Sequence, residues 1–261
     1  MNKLPASSGW LWVKQGFQLF RKQPGALSTL FLGYVFCMLA LVMLPVGGQI
    51  LQIILMPVFS MAFMQACLHI EQKKRVLPFL LLSGFRPSSA KALFGLGLLY
   101  LLVALLAMGV ASLIDDGIFW KIITGQVNIK TPHLQDLIRP EAILAAFAVF
   151  LPGTMALCFA APLIYWQNMG LAKALFFSFF SVLRAAKAFL VFSLAWFAIS
   201  VIGSQLVILL FGDGDTGSRV LLPLSMIMTV IVNCSLYASY KQLFDAAPKT
   251  DDDAAPDLLK K

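Results

Sequence analysis

Long runs without a charged residue constrain the fold of this sequence more than any other feature. Between Lys22 and Glu71 lie 48 uncharged residues, which is enough for two membrane crossings joined by a turn at Pro45-Val46-Gly47-Gly48. A hydrocarbon core of roughly 30 Å needs about 20 residues of helix per crossing. Four more uncharged runs, of 23, 31, 25 and 21 residues, each fit one crossing. The sequence therefore predicts six spans, at about 25–44, 49–70, 92–114, 142–168, 188–211 and 220–240.

The spans are predicted to be helices, so the chain is expected to be an all-α integral membrane protein. Hydrophobic residues make up 60% of the 261 residues and charged residues only 12%, whereas soluble domains carry about 25% charged residues. An open sheet edge in lipid leaves backbone groups unpaired, and these apolar runs lack the alternation of a barrel strand. The composition excludes a soluble enzyme, a disordered chain and a disulfide-stabilised miniprotein.

Basic residues fall mostly on one side of the predicted membrane. If the N-terminus is cytoplasmic, 16 of the 20 Lys and Arg residues lie on the cytoplasmic side of the six spans. Such an asymmetry in short loops is a strong positive-inside signal. We therefore expect a multi-pass protein of a bacterial inner membrane, with both the N-terminus and the C-terminus in the cytoplasm.

The segment before the first span, residues 1–24, is predicted to form an N-terminal amphipathic interfacial helix. Trp12 and Phe17 fall on one side of its helical wheel, and Lys14 and Arg21 fall on the other. A helix with aromatic residues on one face and basic residues on the opposite face is typical of the membrane interface.

Similar basic junctions precede the first, the third and the fifth spans. They are Phe20-Arg21, Phe85-Arg86 and Leu183-Arg184, and each lies close to the start of a span. We interpret residues 25–244 as a six-helix transmembrane domain, built with the preceding helix as three repeats of an interfacial helix plus a transmembrane hairpin. The alternative is that any positive-inside protein with amphipathic connectors shows such junctions. Residues 245–261 are expected to be a polar, disordered tail.

The basic residues at the span ends predict contact with membrane lipids. A Lys or Arg close to an anionic leaflet contributes about 1 kcal/mol of attraction. Nucleic-acid binders gather their basic side chains on one face, whereas these are spread along the chain, so we expect no nucleic-acid partner. A membrane protein is the other class of partner that we expect. The residues predicted to contact anionic headgroups on the cytoplasmic face are Lys14, Arg21, Lys22, Arg86, Lys91, Lys173, Arg184 and Lys187.

No ionisable residue is predicted at the centre of a span, and this restricts the possible functions most. Pumps and proton-coupled carriers place such residues inside the bilayer, and intramembrane hydrolysis needs a nucleophile with a base or a metal site. The two histidines, His69 and His133, are predicted on opposite sides of the membrane, and the four cysteines form no CxxC pair. We expect no catalytic residues, no metal, no cofactor and hence no enzyme.

Proline and amide residues inside the spans admit two interpretations. The first is packing and interhelical hydrogen bonding, at about 0.6 kcal/mol per bond, with small residues such as Gly95 and Gly97 allowing helices to approach closely. The second is a polar cleft between repeats. Its predicted lining residues are Pro57, Gln65, Pro162, Gln167, Asn168 and Asn233.

The stretch APLIYWQNM at residues 161–169, followed by KALFFSF at 173–179 and by Arg184, carries a family resemblance. Together with the amphipathic opening and the basic junctions, it resembles an uncharacterised six-span inner-membrane protein family of Gram-negative bacteria. More distantly, residues 7 to 245 are similar to the membrane domain fused to some glycerophosphodiester phosphodiesterases. This resemblance implies a six-helix inner-membrane fold and transfers no catalytic residue, because the phosphodiesterase reaction belongs to a separate domain.

These observations favour a non-enzymatic polytopic inner-membrane protein with a scaffold, assembly or lipid-organising role. The alternative is a transporter of a small apolar or amphipathic solute through a cleft between the repeats.

Overall fold

The computed structural model describes residues 4–44, 47–123, 139–212 and 214–244. All regular secondary structure in these ranges is helical, which confirms the predicted all-α fold. The predicted tail at 245–261 lies outside the described residues. The elements are α1 (Ser7–Lys22), α2 (Pro24–Val42), α3 (Gly48–Glu71), a 3-10 segment (Pro78–Phe85), α4 (Pro87–Ile114), α5 (Ile118–Ile123), α6 (Pro140–Leu157), α7 (Ala160–Gln167), α8 (Leu171–Arg184), α9 (Ala186–Phe211) and α10 (Asp215–Phe244).

Six stretches of the described chain are long and apolar enough to cross a membrane. They are α2, α3, α4, the pair α6 and α7 at Pro140–Gln167, α9, and the Arg219–Phe244 part of α10. In the most apolar part of α3, 72% of the residues are buried inside the protein, whereas the corresponding share in the other five stretches is 11–28%. α3 is therefore the central helix, and the other five expose most of their apolar surface where lipid would surround them.

Prolines set the beginning of three of these stretches. Pro24, Pro87 and Pro140 each stand in the first turn of a helix. The first-turn N–H groups have no partner within the helix, so a proline costs little there. Proline also disfavours helical backbone in the residue before it, which separates α1 from α2 at Gln23.

The fourth span, predicted as one helix over 142–168, is broken at Cys158 and Phe159. Pro162 has no N–H, so it cannot bond the carbonyl of Cys158 one turn earlier. The Phe159 N–H instead donates to Ser178 Oγ at 3.0 Å, and Ser178 Oγ donates to the Met155 carbonyl at 2.9 Å. A hydroxyl from α8 thus satisfies backbone groups beside the break.

The three predicted interfacial elements pack mainly on spans other than the hairpin that follows each of them in the chain. The 3-10 segment lies on α3 and α2, and α8 lies on α6 and α7. α1 lies on α10 and α9, which form the last hairpin. The three repeats of an interfacial helix plus a transmembrane hairpin stay a prediction. The second element is a 3-10 segment and not the expected interfacial α-helix. We call the end of the bundle that carries these three elements the basic end, and the opposite end the far end.

The contact of α1 with the last hairpin is close. Trp12 is fully buried, packs on Phe189 at a ring-centroid distance of 5.1 Å, and donates its indole N–H to Gln242 Oε1. A Cβ on Gly9 would lie 2.1 Å from the Ala188 carbonyl oxygen. The apolar face of α1 therefore has a protein partner, which the sequence pattern did not indicate. Its interfacial position stays a prediction.

Candidate functional site

A pocket of about 400 Å³ lies at the basic end, between the last turns of α3, the 3-10 segment and α7. Exposed apolar side chains stand at its rim, including Leu77, Phe79 and Leu82. The polar side chains that line it are Gln65, His69, Arg75, Ser83, Arg86 and Tyr165.

The chain reverses direction to build this pocket. Lys73 follows α3 with a left-handed φ of 58°, which a non-glycine residue rarely adopts. The 3-10 segment then returns against α3, where a Cβ on Gly84 would lie 2.6 Å from the Val58 carbonyl oxygen. Arg86 has an extended backbone because Pro87 follows it. As a result, Arg75 and Arg86 stand at opposite ends of the 3-10 segment and line one pocket.

The polar lining of the pocket is rich in hydrogen-bond donors. Gln65 Oε1 accepts a bond of 2.9 Å from Trp166 Nε1, so the donor end of this amide is the end that remains for a ligand. Ser83 Oγ is buried without a hydrogen-bond partner. The Arg86 guanidinium lies 5.9 Å from the centroid of the Tyr165 ring. No Asp or Glu is among the residues that line the pocket.

The nearest acidic side chain along the chain, Glu71, is engaged elsewhere. It accepts a hydrogen bond of 2.9 Å from Tyr237 and pairs with Lys241 at 2.9 Å. This ties α3 to α10 on the side away from the 3-10 segment. Of the described residues at the basic end, 4–23, 71–91, 168–187 and 241–244, Glu71 is the only one with a carboxylate side chain. The basic end is therefore strongly positive.

A donor-rich, positively charged pocket suits an anion. Arg side chains bind phosphate or carboxylate oxygens through charge-assisted hydrogen bonds, and a buried hydroxyl without a partner gains by bonding such an oxygen. Within the described ranges, no group of three or more His, Cys, Asp or Glu residues could hold a metal ion.

The chain has a relative of similar length. It is 34% identical over 250 residues to a "Probable inner membrane protein" of Burkholderia thailandensis, and the match covers 93% of each chain. This chain belongs to the same family of inner membrane proteins. No protein-family model and no solved structure matches it. The relative confirms the predicted inner-membrane family, whereas the distant likeness to the membrane domain of glycerophosphodiester phosphodiesterases stays a prediction.

In this inner membrane protein, the predicted headgroup residues all stand at the basic end with exposed side chains. Three lie on α1, one lies on α4, and three lie on or just after α8, while Arg86 lines the pocket. Their contact with lipid stays a prediction. The eight are Lys14, Arg21, Lys22, Arg86, Lys91, Lys173, Arg184 and Lys187.

Of the six residues predicted to line a polar cleft, only Gln65 lines the pocket at the basic end. Gln167 donates to the Tyr240 hydroxyl at 3.2 Å, and Asn233 donates to the Thr229 carbonyl of its own helix at 2.9 Å.

The remaining three cleft candidates have backbone roles. Asn168 ends α7 with a left-handed φ of 49°, which asparagine tolerates better than most residues. Pro57 and Pro162 are buried inside α3 and α7. The polar cleft stays a prediction.

Sequence reasoning missed four polar side chains of the pocket, which are His69, Arg75, Ser83 and Tyr165. Arg75 was counted among the cytoplasmic basic residues but was not singled out. The available signal was its position between the end of a span and a short apolar segment that begins at Val76 and ends at Arg86. Two arginines that bracket a segment too short to cross a membrane are brought to the same membrane face.

Proposed function

We propose that this inner membrane protein is non-enzymatic and binds anionic phospholipid at its basic end, with that end in the cytoplasm. The orientation is supported by the excess of Lys and Arg at the basic end, because positive loops stay on the cytoplasmic side. Cytoplasmic leaflets contain anionic lipids, and basic pockets between transmembrane helices on that side bind phosphate headgroups.

The observation that carries this proposal is the combination of donors and apolar rim at the pocket. A headgroup phosphate would accept hydrogen bonds from Arg75, Arg86 and Ser83. Its acyl chains would follow the exposed side chains of Phe79 and Leu82, which are 76% and 56% exposed. A soluble anion would gain nothing from this apolar rim, whereas a phospholipid matches both parts.

The test is to remove both charges of the pocket and to measure the lipid that co-purifies. We expect the double variant Arg75→Gln/Arg86→Gln to bind phosphatidylglycerol and cardiolipin about tenfold less than the wild-type protein, or weaker still. The reason is that a charge-assisted hydrogen bond contributes about 1.5–3 kcal/mol. Native mass spectrometry in a mild detergent measures the bound lipid.

The matched control is Arg219→Gln, which removes an exposed arginine at the far end and is expected to leave the bound lipid unchanged. Equal loss of anionic lipid from the control and the double variant would contradict the proposal. The transporter alternative would be favoured over lipid binding if the wild-type protein showed substrate-dependent flux in proteoliposomes and the double variant showed none.

A further inference from the structure

The two amphipathic α-helices of the basic end differ in what covers their apolar side chains. α1 buries Trp12, Val13 and Leu19 in the protein. Its exposed side carries Gln18 in the second half of the helix and Trp10, which is 45% exposed, near the start. In α8, by contrast, the bulkiest apolar residues point away from the protein.

α8 is attached to the bundle by small residues. Ala174, Ser178 and Val182 recur at every fourth position and are buried, so one narrow face of the helix lies against the fourth span. The hydroxyl of Ser178 bonds backbone groups on both sides of the break in that span. The orientation of α8 about its own axis is therefore fixed by this face.

The outward face of α8 is a cluster of large apolar side chains. Phe176 is 60% exposed, and Phe180 is 47% exposed. Their rings lie 4.5 Å apart between centroids. Phe177 and Leu183 extend the same surface and are 43% and 49% exposed. We call these four exposed side chains the phenylalanine face.

Charge at the ends of α8 indicates what lies against this face. Lys173 has its ammonium group 5.9 Å from the centroid of the Phe177 ring near the start of the helix, and Arg184 and Lys187 follow at its end. No Asp or Glu occurs anywhere from Ala142 to Gly212. Aromatic residues flanked by basic residues suit the boundary between acyl chains and anionic headgroups.

The position of α8 in the chain supports the same conclusion. It connects the end of the fourth span at Gln167 to the start of the fifth at Ala186, so it lies at the level where the spans leave the hydrocarbon.

We propose that α8 is a lipid-inserted element whose phenylalanine face penetrates the leaflet at the basic end, whereas the exposed side chains in the second half of α1 are polar. The inference deepens the proposed lipid-binding function but uses no residue of the pocket. Insertion of one helix into one leaflet displaces headgroups on that side, so α8 would give the protein a means of organising the lipid around it.

The test is spin-label accessibility in the full-length protein, reconstituted in vesicles of equal parts phosphatidylglycerol and phosphatidylcholine. Cys37 is the exposed native cysteine of the described chain and is first replaced by serine. Phe176→Cys and Phe180→Cys then place a label at two independent exposed positions. Collision with oxygen, which concentrates in hydrocarbon, is compared with collision with a water-soluble nickel chelate.

We expect the oxygen accessibility to exceed the nickel accessibility at both positions of α8. The matched control, Gln18→Cys on the outward face of α1, should show the reverse order. Higher nickel accessibility at both α8 positions would overturn the inference. So would low accessibility to both reagents, which would indicate a protein partner or a second copy on this face. The pocket variant Arg75→Gln/Arg86→Gln should leave these values unchanged, so that failure of one proposal is distinguishable from failure of the other.

Discussion

Replacement of Gly97 by alanine is expected to force α3 and α4 apart and to destabilise the bundle by about 3 kcal/mol, the upper part of the usual range for overpacked cores. The added Cβ would lie 2.0 Å from the Ile54 carbonyl oxygen and 2.7 Å from the Ile54 Cα. Both are backbone atoms, so no side-chain rotation relieves the overlap. Close approach at small residues is the main source of helix association in lipid, and α3 is the central helix of the fold.

The measurement is the apparent melting temperature of the purified protein in mild detergent. A loss of this size lowers it by roughly 10 °C in a chain of this length. The control is Gly109→Ala in the same helix, where an added Cβ meets nothing within 4 Å. The control should be neutral or slightly stabilising, because alanine favours helix over glycine. Equal melting temperatures for the two variants would contradict the close contact between α3 and α4.

Replacement of Trp12 by alanine is expected to release α1 from the last hairpin. The indole is fully buried, packs on Phe189 and on Phe192 at 6.2 Å between ring centroids, and bonds Gln242. Loss of a buried tryptophan costs about 3–5 kcal/mol, and Gln242 would also lose the donor to its side-chain oxygen. We expect a fall in melting temperature of roughly 10 °C or more, with faster proteolysis of the N-terminal segment.

Trp10, two residues earlier on the same helix, provides the control. It is 45% exposed, and the Lys14 ammonium lies 5.7 Å from the centroid of its ring. An exposed cation–π contact contributes about 0.5–1 kcal/mol, so Trp10→Ala should change the melting temperature by only a few degrees. If Trp10→Ala and Trp12→Ala produced the same shift, α1 would not be anchored as described.

The six spans were predictable because charge is excluded from hydrocarbon. The distances between charged residues marked four spans singly, and the turn at residues 45–48 divided the 48-residue run into the other two. The break in the fourth span lies four residues before Pro162. Gly97 was recognised as a residue that allows close approach, but its partner Ile54 was not, since any apolar helix offers a suitable carbonyl oxygen.

The protein partner of an apolar face was harder to predict than the face itself. A membrane helix is surrounded by apolar groups whether it lies in the protein interior or faces the lipid. Hydrophobicity therefore does not distinguish the central α3 from the peripheral α9. The same ambiguity applies to α1 and α8, whose sequences are both amphipathic, although α1 buries Trp12 in the protein and α8 exposes Phe176. The pocket depended on a chain reversal at Lys73 that no residue type in the sequence signals.

The central claim is that the 3-10 segment and α8 share one membrane face, and that this face is cytoplasmic. Paired reporters, one active only in the cytoplasm and one only in the periplasm, test it most directly when fused after Lys74, Gly117, Lys173 and Gly212. We expect cytoplasmic activity after Lys74 and Lys173, and periplasmic activity after Gly117 and Gly212. Opposite compartments for Lys74 and Lys173 would contradict the shared basic end, and periplasmic activity at both would contradict its proposed contact with the cytoplasmic leaflet.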